Sequence, residues 1–241
     1  MNALITGSTK GIGRQIGLDL LDKDYYVYFN GHTYTTIDQL NLGLNGKSYY
    51  SNFSIINQDL SELEGNLELA NYFKSQDIYL DVLILNLGIT DRSPFGAICY
   101  DSWKKVMDVN LNFPFFLVQS LASHINEGGK IIFIGSVLAD YPHSRSISYA
   151  VSKSGINTLV KNLAKEFSSS EITVNAVSPG FISDTSWHKE KSLEQIKKIE
   201  KDILLGRFGT TKEISSLVIE IINNPYINGS ILEINGGYGL K

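Results

Sequence analysis

Short apolar runs alternate with longer segments of helical periodicity along almost the whole chain. The apolar runs are strand-sized and predict strands at residues 2–6, 25–29, 50–56, 81–86, 130–135, 172–177 and 230–234. The longer segments predict helices at residues 11–21, 60–74, 102–124, 149–167 and 211–222. Strands that alternate with helices favour an α/β fold: a Rossmann-type, doubly wound parallel sheet of about seven strands, flanked by helices.

No repeat, low-complexity tract or linker divides the chain, and 241 residues is a length at which α/β proteins form one domain. We therefore expect a single domain over residues 1–241. In such open sheets, ligands bind outside the carboxyl ends of the strands, where the strand order reverses. The loops that follow the predicted strands are the first places to search for function.

Composition argues against several classes of protein. The net charge is −4, and acidic residues interrupt the basic run at 188–201, so nucleic acid is not an expected partner. The apolar runs are too short to cross a bilayer, and the start MNALITGS lacks the features of an export signal. The single Cys99 excludes an internal disulfide and a multi-thiol metal site. We expect no membrane association, no metal and a reducing cytoplasm.

The loop after the first predicted strand is rich in glycine and leads directly into a helix. It reads Thr6-Gly7-Ser8-Thr9-Lys10-Gly11-Ile12-Gly13. Glycines let backbone amides approach a phosphate, and the N-terminus of a helix contributes partial positive charge. A simple turn would use glycines as well, but the position at the first strand-to-helix junction favours a dinucleotide.

This spacing resembles the TGxxxGIG motif of the short-chain dehydrogenase/reductase family. Further matches fall at the expected loops: Asp59-Leu60 after the third strand, Asn86-Leu87-Gly88 after the fourth, and Pro179-Gly180 after the sixth. The resemblance covers essentially the whole chain. It implies a nicotinamide dinucleotide bound by Gly7, Thr9, Lys10, Gly11, Ile12, Gly13, Asn30, Asp59, Leu60, Asn86, Gly88, Tyr149, Lys153, Pro179, Gly180, Ile182 and Thr185.

The end of the second predicted strand bears on which nicotinamide cofactor is used. A carboxylate there would bond the ribose hydroxyls of NAD and repel the extra phosphate of NADP. The chain reads Asn30-Gly31-His32 at this point, without an acid, and Lys10 adds a positive charge in the glycine-rich turn. Lys10 is otherwise only a solvated loop lysine. We expect NADP(H) in preference to NAD(H).

The stretch SISYAVSK places Tyr149 four residues before Lys153, a spacing that puts both on one helix face. A nearby ammonium favours the phenolate and so lowers the pKa of a tyrosine. The spacing alone decides nothing, because Tyr100 and Lys104 repeat it.

The family resemblance separates the two pairs. It implies that Tyr149 is the general acid or base, that Lys153 lowers its pKa, and that Ser136 polarises the carbonyl. Asn110 matches the asparagine that holds a water relaying protons. Taken singly, these residues are also explained as caps, backbone partners or a surface pair.

The substrate is less constrained than the chemistry. GRFG at 206–209 and INGG at 234–237 resemble 3-oxoacyl carrier-protein reductases, which grip an acidic carrier with arginines. The segments expected to carry those cations contain Glu127 and Glu171 instead, and acids would repel the carrier. A small free carbonyl or alcohol is therefore the preferred substrate, with the carrier-protein reductase as the alternative. A non-catalytic nucleotide-binding regulatory protein is a third, less favoured possibility.

The segments that would close over the substrate are residues 91–100, 138–147 and 186–205. The last has an apolar helical stripe and predicts either a lid, with Trp187 and His188 at its hinge, or an ordinary surface helix. Tyr141, His143 and Arg145 would attract an anionic substrate if they line the mouth, and are otherwise a solvated loop.

Two further expectations come from the resemblance. Family members commonly form homodimers or homotetramers through the helices that match residues 102–124 and 149–167. The family also usually has alanine where this chain has Leu87, which either narrows the pocket or adjusts the packing of the core. We expect the change to act through packing.

Overall fold

The computed structural model describes residues 1–44, 51–143, 145–186 and 191–240. Within these residues the strands are β1 (Asn2–Ile5), β2 (Tyr26–Gly31), β3 (Phe53–Asn57), β4 (Leu80–Leu85), β5 (Ile125–Ile134), β6 (Thr173–Pro179) and β7 (Ile231–Ile234). The helices are α1 (Gly11–Leu21), α2 (Tyr34–Leu44), α3 (Leu63–Ser75), α4 (Tyr100–Met107), α5 (Phe113–Leu121), α6 (Ile147–Glu166), α7 (Leu193–Asp202) and α8 (Thr211–Asn223).

In the described part of the chain, seven strands form one sheet in the order β3-β2-β1-β4-β5-β6-β7, and all neighbours are parallel. The strand order reverses between β1 and β4, where Ile5 lies opposite Ile84. This confirms the predicted doubly wound α/β fold and locates its switch point, where open sheets of this kind bind ligands.

Alternate residues of the central strands enter two apolar layers. Leu4, Leu83 and Ile131 belong to the layer beneath α3, α5 and α6, whereas Ile5 and Ile84 belong to the layer beneath α1 and α8. Because both faces of the strands are covered, their sequences are continuously apolar rather than alternating. Buried central strands therefore carry the loops at the carboxyl edge of the sheet.

The predicted helix at 102–124 is wrong as one element. The structure has α4, a π-helical turn at Asp108–Asn112, and then α5, which carries Pro114 in its first turn. Proline cannot donate the amide hydrogen bond that a continuous helix requires, so a new helical start at this point is physically reasonable.

The sequence reading also missed α2. Its start Tyr34-Thr35-Thr36 has weak helical propensity, yet Leu40 and Leu44 are fully buried against the sheet. Tertiary packing outweighs local propensity here. The spacing of four between these two leucines was the available signal.

Other differences concern the ends of elements. The third strand begins at Phe53, and Tyr50 lies outside the described residues. The helix predicted from residue 60 begins at Leu63, because Leu60 is buried in the core before the helix starts. β5 begins five residues earlier than the predicted 130.

Of the helices described, none is both long and apolar enough to span a membrane. A search of the same residues finds no group of three or more His, Cys, Asp or Glu side chains arranged to hold a metal ion.

Candidate active site

The turn between β1 and α1 depends on glycine. Gly7 and Gly11 have φ values of 59°, in the left-handed region that side chains other than glycine rarely adopt. A Cβ on Gly13 would lie 2.6 Å from Nδ2 of Asn86. That same Nδ2 donates to the carbonyls of Thr6 and Gly7, at 3.0 and 2.9 Å, and so ties the end of β4 to the turn.

The first turn of α1 is suited to an anion. Lys10 precedes the helix in an extended conformation and makes no side-chain hydrogen bond that caps it. The first amides of a helix lack intrahelical acceptors and carry partial positive charge, so they are natural donors to a phosphate. With glycine at the points of close approach, these residues fit the pyrophosphate of a dinucleotide.

The predicted residues near the adenine side have mixed surroundings. Asn30 is 1% exposed: its Oδ1 accepts from the amide of Gly7 at 3.1 Å, and its Nδ2 donates to the carbonyl of Gln58 at 3.0 Å. Leu60 is buried in the core, whereas Asp59 lies near His32, with Oδ1 and Nδ1 3.6 Å apart. Asn30 thus supports the turn from below, Leu60 is part of the core, and Asp59 is accessible.

A cavity of about 410 Å³ lies at the carboxyl edge of the central strands. Many of the residues predicted from separate loops line it together: Ile12, Asn86, Gly88, Ser136, Tyr149, Lys153, Pro179, Gly180, Ile182 and Thr185. The described lining residues do not include the other predicted cofactor residues, which are Gly7, Thr9, Lys10, Gly11, Gly13, Asn30, Asp59 and Leu60, nor do they include Asn110. The predicted site therefore divides into a lined cavity and a neighbouring turn.

Tyr149 and Lys153 project from one face of α6 into this cavity. The Nζ of Lys153 lies 5.7 Å from the centre of the Tyr149 ring and donates to the carbonyl of Ile134 at 2.7 Å. Ser136 follows β5 directly, and its Oγ accepts from the amide of Leu138 at 3.1 Å. One helix and one strand end thus place a phenol, an ammonium and a hydroxyl around the same space.

Burial controls the ionisation of this group. Burial raises the pKa of Tyr149 above its ordinary value, and the hydroxyl of Ser136 partly offsets this rise. The sequence predicted a pKa lowered by Lys153; in the structure, desolvation of the phenol is the largest cause and raises the pKa of Tyr149. Burial also lowers the pKa of Lys153, which is 4% exposed, to about 8.

Asn110 lies in the π-helical turn, behind the cavity wall. Its Oδ1 accepts from the amide of Ile89 at 2.8 Å, while its Nδ2 donates to the carbonyl of Ile89 at 2.9 Å and to the hydroxyl of Ser152 at 3.0 Å. A Cβ on Gly88 would lie 3.4 Å from Oδ1 of Asn110 and 3.5 Å from Nζ of Lys153. Asn110 thus connects the loop after β4 to the residue that precedes Lys153.

Leu87 packs against the glycine-rich turn rather than into the cavity. Its Cα and Cδ1 lie 3.1 and 3.0 Å from where a Cβ on Gly7 would be, and it contacts the core beneath α3 and α5. Leu87 is not among the described residues that line the large cavity. These contacts agree with the expectation that the departure from the family pattern acts through packing, which stays a prediction.

The second Tyr–Lys pair is on the surface. Tyr100 is 75% exposed at the start of α4, and Lys104 forms an ion pair with Asp108 one turn later. Identical spacing therefore has different consequences on α4 and on α6. The difference lies in what each helix faces.

Several lining residues were not singled out from the sequence, including Ile89, Arg92, Phe181 and Lys191. Arg92 and Lys191 fall within segments expected to close over the substrate, and that position was the available signal. In the segment 186–205, Ile196 and Ile199 pack against a cluster that includes Phe181 and Tyr238. The predicted hinge residues Trp187 and His188 lie outside the described residues, and the lid stays a prediction.

A family model described as short chain dehydrogenase matches residues 1–196. The 3-oxoacyl-[acyl-carrier-protein] reductase FabG of Buchnera aphidicola subsp. Schizaphis graminum is 33% identical over 239 residues, which are 98% of this chain and 96% of that protein. FabG of Escherichia coli is 31% identical over 241 residues, with the same two shares covered.

Solved structures show the same similarity in three dimensions. A Serratia marcescens short-chain dehydrogenase/reductase mutant has a TM-score of 0.89 and 27% identity, covering 98% of this chain and 97% of that one. A blue fluorescent protein from a metagenomic library, in complex with NADPH, has a TM-score of 0.89 and 26% identity over 99% of this chain and 97% of that one. The similarity covers almost the whole chain in each case.

Proposed function

The chain belongs to the short-chain dehydrogenase family, and we propose that it transfers hydride between NADP(H) and a small carbonyl or alcohol compound. As a member of that family it is an NAD(P)-dependent oxidoreductase that acts on alcohol and carbonyl groups. The observation that carries the finer proposal is the convergence of Ser136, Tyr149 and Lys153 on one cavity, beside the glycine-rich turn.

Reduction of a carbonyl builds negative charge on its oxygen, which needs a hydrogen-bond donor and then a proton. Bound NADPH supplies the hydride. In our proposal, Ser136 donates a hydrogen bond to the carbonyl oxygen, and Tyr149 delivers the proton from its hydroxyl. In the reverse direction Tyr149 takes the proton from the alcohol.

Lys153 supplies positive charge where the phenol must ionise. Its pKa of about 8 leaves it mostly protonated at neutral pH, although it is buried. The raised pKa of Tyr149 in the protein alone means that the phenol holds its proton until a substrate and an oxidised, cationic nicotinamide are present. The hydroxyl of Tyr149 thus keeps the proton that it donates to the substrate during reduction.

We propose that Asn110 is a positioning residue. Both hydrogens of its amide and one lone pair of its oxygen are used on Ile89 and Ser152, which leaves one lone pair for a water. A water there would lie beside Gly88, close to the ammonium of Lys153. This supports, for this chain, the proton-relay role that the family resemblance implied.

Three features support NADP(H) over NAD(H). β2 ends at Gly31 without a carboxylate, and Lys10 is exposed in the glycine-rich turn. The side chain of Asn30 lies beneath that turn, where its Oδ1 accepts from the amide of Gly7. A carboxylate after β2 is the usual means of rejecting the extra phosphate. The neighbour with 26% identity that holds NADPH agrees with this preference.

The second candidate is a 3-oxoacyl-[acyl-carrier-protein] reductase. Relatives with that name are 31% and 33% identical to this chain over nearly its full length. Against it stand Glu127 and Glu171, both exposed in the segments where the resemblance leads us to expect cations for an acidic carrier. We therefore favour the small free substrate.

The test is a panel of small carbonyls and alcohols followed by nicotinamide absorbance, with Tyr149→Phe as the variant. The phenylalanine ring fills the same space but has no transferable proton, so turnover is expected to fall by at least about 100-fold, the lower range of acid–base catalysis. Binding of NADPH, measured by calorimetry, is expected to stay within about threefold.

Tyr100→Phe is the matched control, because Tyr100 has the same Tyr-x-x-x-Lys context but is exposed on α4. It is expected to keep wild-type turnover. Wild-type activity in Tyr149→Phe would remove Tyr149 from the mechanism. Turnover only with carrier-linked substrates would establish the second candidate instead.

A further inference from the structure

Basic residues from three separate segments line the cavity. Arg92 comes from the loop after β4, Arg145 from the turn before α6, and Lys191 from the segment before α7. His143 lines the same region, and its hydrogen-bond partner is the hydroxyl of Tyr238, 3.2 Å from Nε2. The chain as a whole carries a net charge of −4, so this concentration of cations runs against its average composition.

The described lining of the cavity differs from the chain as a whole in its acidic residues. None of the described residues that line the cavity is Asp or Glu. Two acids close by in sequence are engaged by other groups: Asp91 accepts from the amide of Ser93 at 2.8 Å, and Asp184 accepts from the amide and hydroxyl of Thr211, at 2.9 and 2.5 Å. Asp202 lies near His143 and Tyr238 and opposes the cations from outside the lining.

The electrostatic effect of Lys191 on His143 is that of a positive charge in the cavity lining. The pKa of His143 is lowered first by burial and then by the nearby Lys191, with Asp202 opposing the shift. A cation on the wall thus disfavours a second positive charge there. An anion entering the cavity would experience the same field as an attraction.

The lining and the volume of the cavity restrict the size of the rest of the ligand. Ser136 and Tyr149 line the cavity together with the apolar residues Ile89, Leu138 and Phe181. The volume of about 410 Å³ is near the lower end of the roughly 300–1,000 Å³ typical of ligand pockets, and it must also hold the nicotinamide. The space left over suits a short carbon chain.

We infer that the substrate is a small carbonyl or alcohol compound that carries an anionic group, a carboxylate or a phosphate. Arg92, Arg145 and Lys191 bind that group at the mouth of the cavity. The reacting carbon then lies beside Ser136 and Tyr149. This inference rests on the proposed hydride transfer and specifies its substrate class. Charged donors to an anion form strong hydrogen bonds, and arginine can engage a carboxylate or phosphate in two parallel bonds.

The experiment compares substrates that differ in charge alone. With NADPH, kcat/KM is measured for 3-oxobutanoate against its methyl ester, and for dihydroxyacetone phosphate against dihydroxyacetone. The anionic member of at least one pair is expected to be favoured by about tenfold or more, the size of one hydrogen bond to a charged group. The two pairs distinguish a carboxylate from a phosphate.

The variants Arg92→Gln, Arg145→Gln and Lys191→Gln remove one charge each. Each is expected to lower the ratio of anionic to neutral kcat/KM by about tenfold, mainly through KM for the anion. Lys161→Gln is the control, because Lys161 is an exposed cation on α6 that does not line the cavity. Its ratio is expected to match wild type. Circular dichroism and NADPH affinity verify that each variant is folded.

A second readout does not depend on turnover. Calorimetry on the enzyme saturated with NADP⁺ measures binding of succinate, inorganic phosphate and the neutral succinamide. Binding of either anion that the three variants weaken, together with no binding of succinamide, supports the anion site. This holds even if no panel compound is reduced, in which case only the proposed hydride transfer fails. Equal turnover of neutral and anionic partners, or anion binding indifferent to all three variants, overturns the anion site and leaves the oxidoreductase proposal standing.

Discussion

Burial of Lys153, to which we assign a role in the proposed reaction, lowers the free energy of unfolding of the protein. Its ammonium is buried, and its pKa of about 8 lies below the ordinary 10.5. Below pH 8 the lysine is charged in both folded and unfolded chains, so the burial penalty is fully present. As the pH rises from 8 toward 10.5, the folded chain releases the proton while the unfolded chain keeps it, and the penalty fades.

Lys153→Met is therefore expected to stabilise the protein without cofactor at pH 7. A pKa lowered from 10.5 to about 8 corresponds to a cost in folding free energy of about 3 kcal/mol, at about 1.4 kcal/mol for each pKa unit. Loss of the hydrogen bond to Ile134 offsets about 1 kcal/mol of the gain. Urea unfolding at pH 7 and at pH 10 measures the difference, which is expected to shrink at the higher pH.

Lys161→Met, on the exposed side of the same helix, is the control for the general effect of methionine. A Lys153→Met variant that is less stable than wild type at pH 7 would show that the buried ammonium makes a net favourable contribution to the free energy of unfolding. A gain that does not change between the two pH values would argue against a lowered pKa.

The strand-to-helix turn after β1 is an element whose parts fit closely. Asn86 ties it to β4, Leu87 packs on Gly7 and the side chain of Asn30 supports it from below. If the turn binds the pyrophosphate as we propose, little conformational freedom remains to be lost when the cofactor binds.

Gly13→Ala tests this close fit. A Cβ would lie 2.6 Å from the Asn86 amide and displace it from the carbonyls of Thr6 and Gly7. The variant is expected to lose about 1–3 kcal/mol of unfolding free energy, typical of overpacking. Calorimetry is expected to show NADPH binding weakened by about tenfold or more, because the amides of the turn shift.

Gly96→Ala is the matched control, since a Cβ there meets nothing within 4 Å. It is expected to change stability by less than about 0.5 kcal/mol. Unaltered cofactor affinity in Gly13→Ala would show that the turn tolerates displacement of Asn86.

For the whole molecule, cofactor choice is measurable as a shift in thermal stability. A ligand that binds the folded chain stabilises it in proportion to the logarithm of its concentration over Kd. NADPH is therefore expected to raise Tm more than NADH at equal concentration, because the end of β2 lacks a carboxylate. An equal or larger shift with NADH would contradict the preference for NADP(H).

Assembly is also a property of this scale. Phe116 on α5 and Val151 on α6 are 42% and 43% exposed, on helices that match those through which family members associate. The homodimer or homotetramer stays a prediction from the family resemblance.

The sequence by itself determined the order of elements, the loops at the carboxyl edge and the identity of the chemical groups. Continuous apolar runs, glycines at a strand end and the spacing of Tyr149 and Lys153 are local features, and local features are readable from residue order. Even the distinction between this pair and Tyr100 with Lys104 followed from neighbouring motifs.

Only the tertiary structure decided what depends on distance between remote segments. It brought Arg92, Arg145 and Lys191 to the lining of one cavity, placed the side chain of Asn30 beneath the glycine-rich turn, and divided the predicted helix at Asn110. It also made burial the largest influence on the pKa of Tyr149. Burial and the electrostatic field are sums over the whole fold, whereas residue order records only the groups that take part in them.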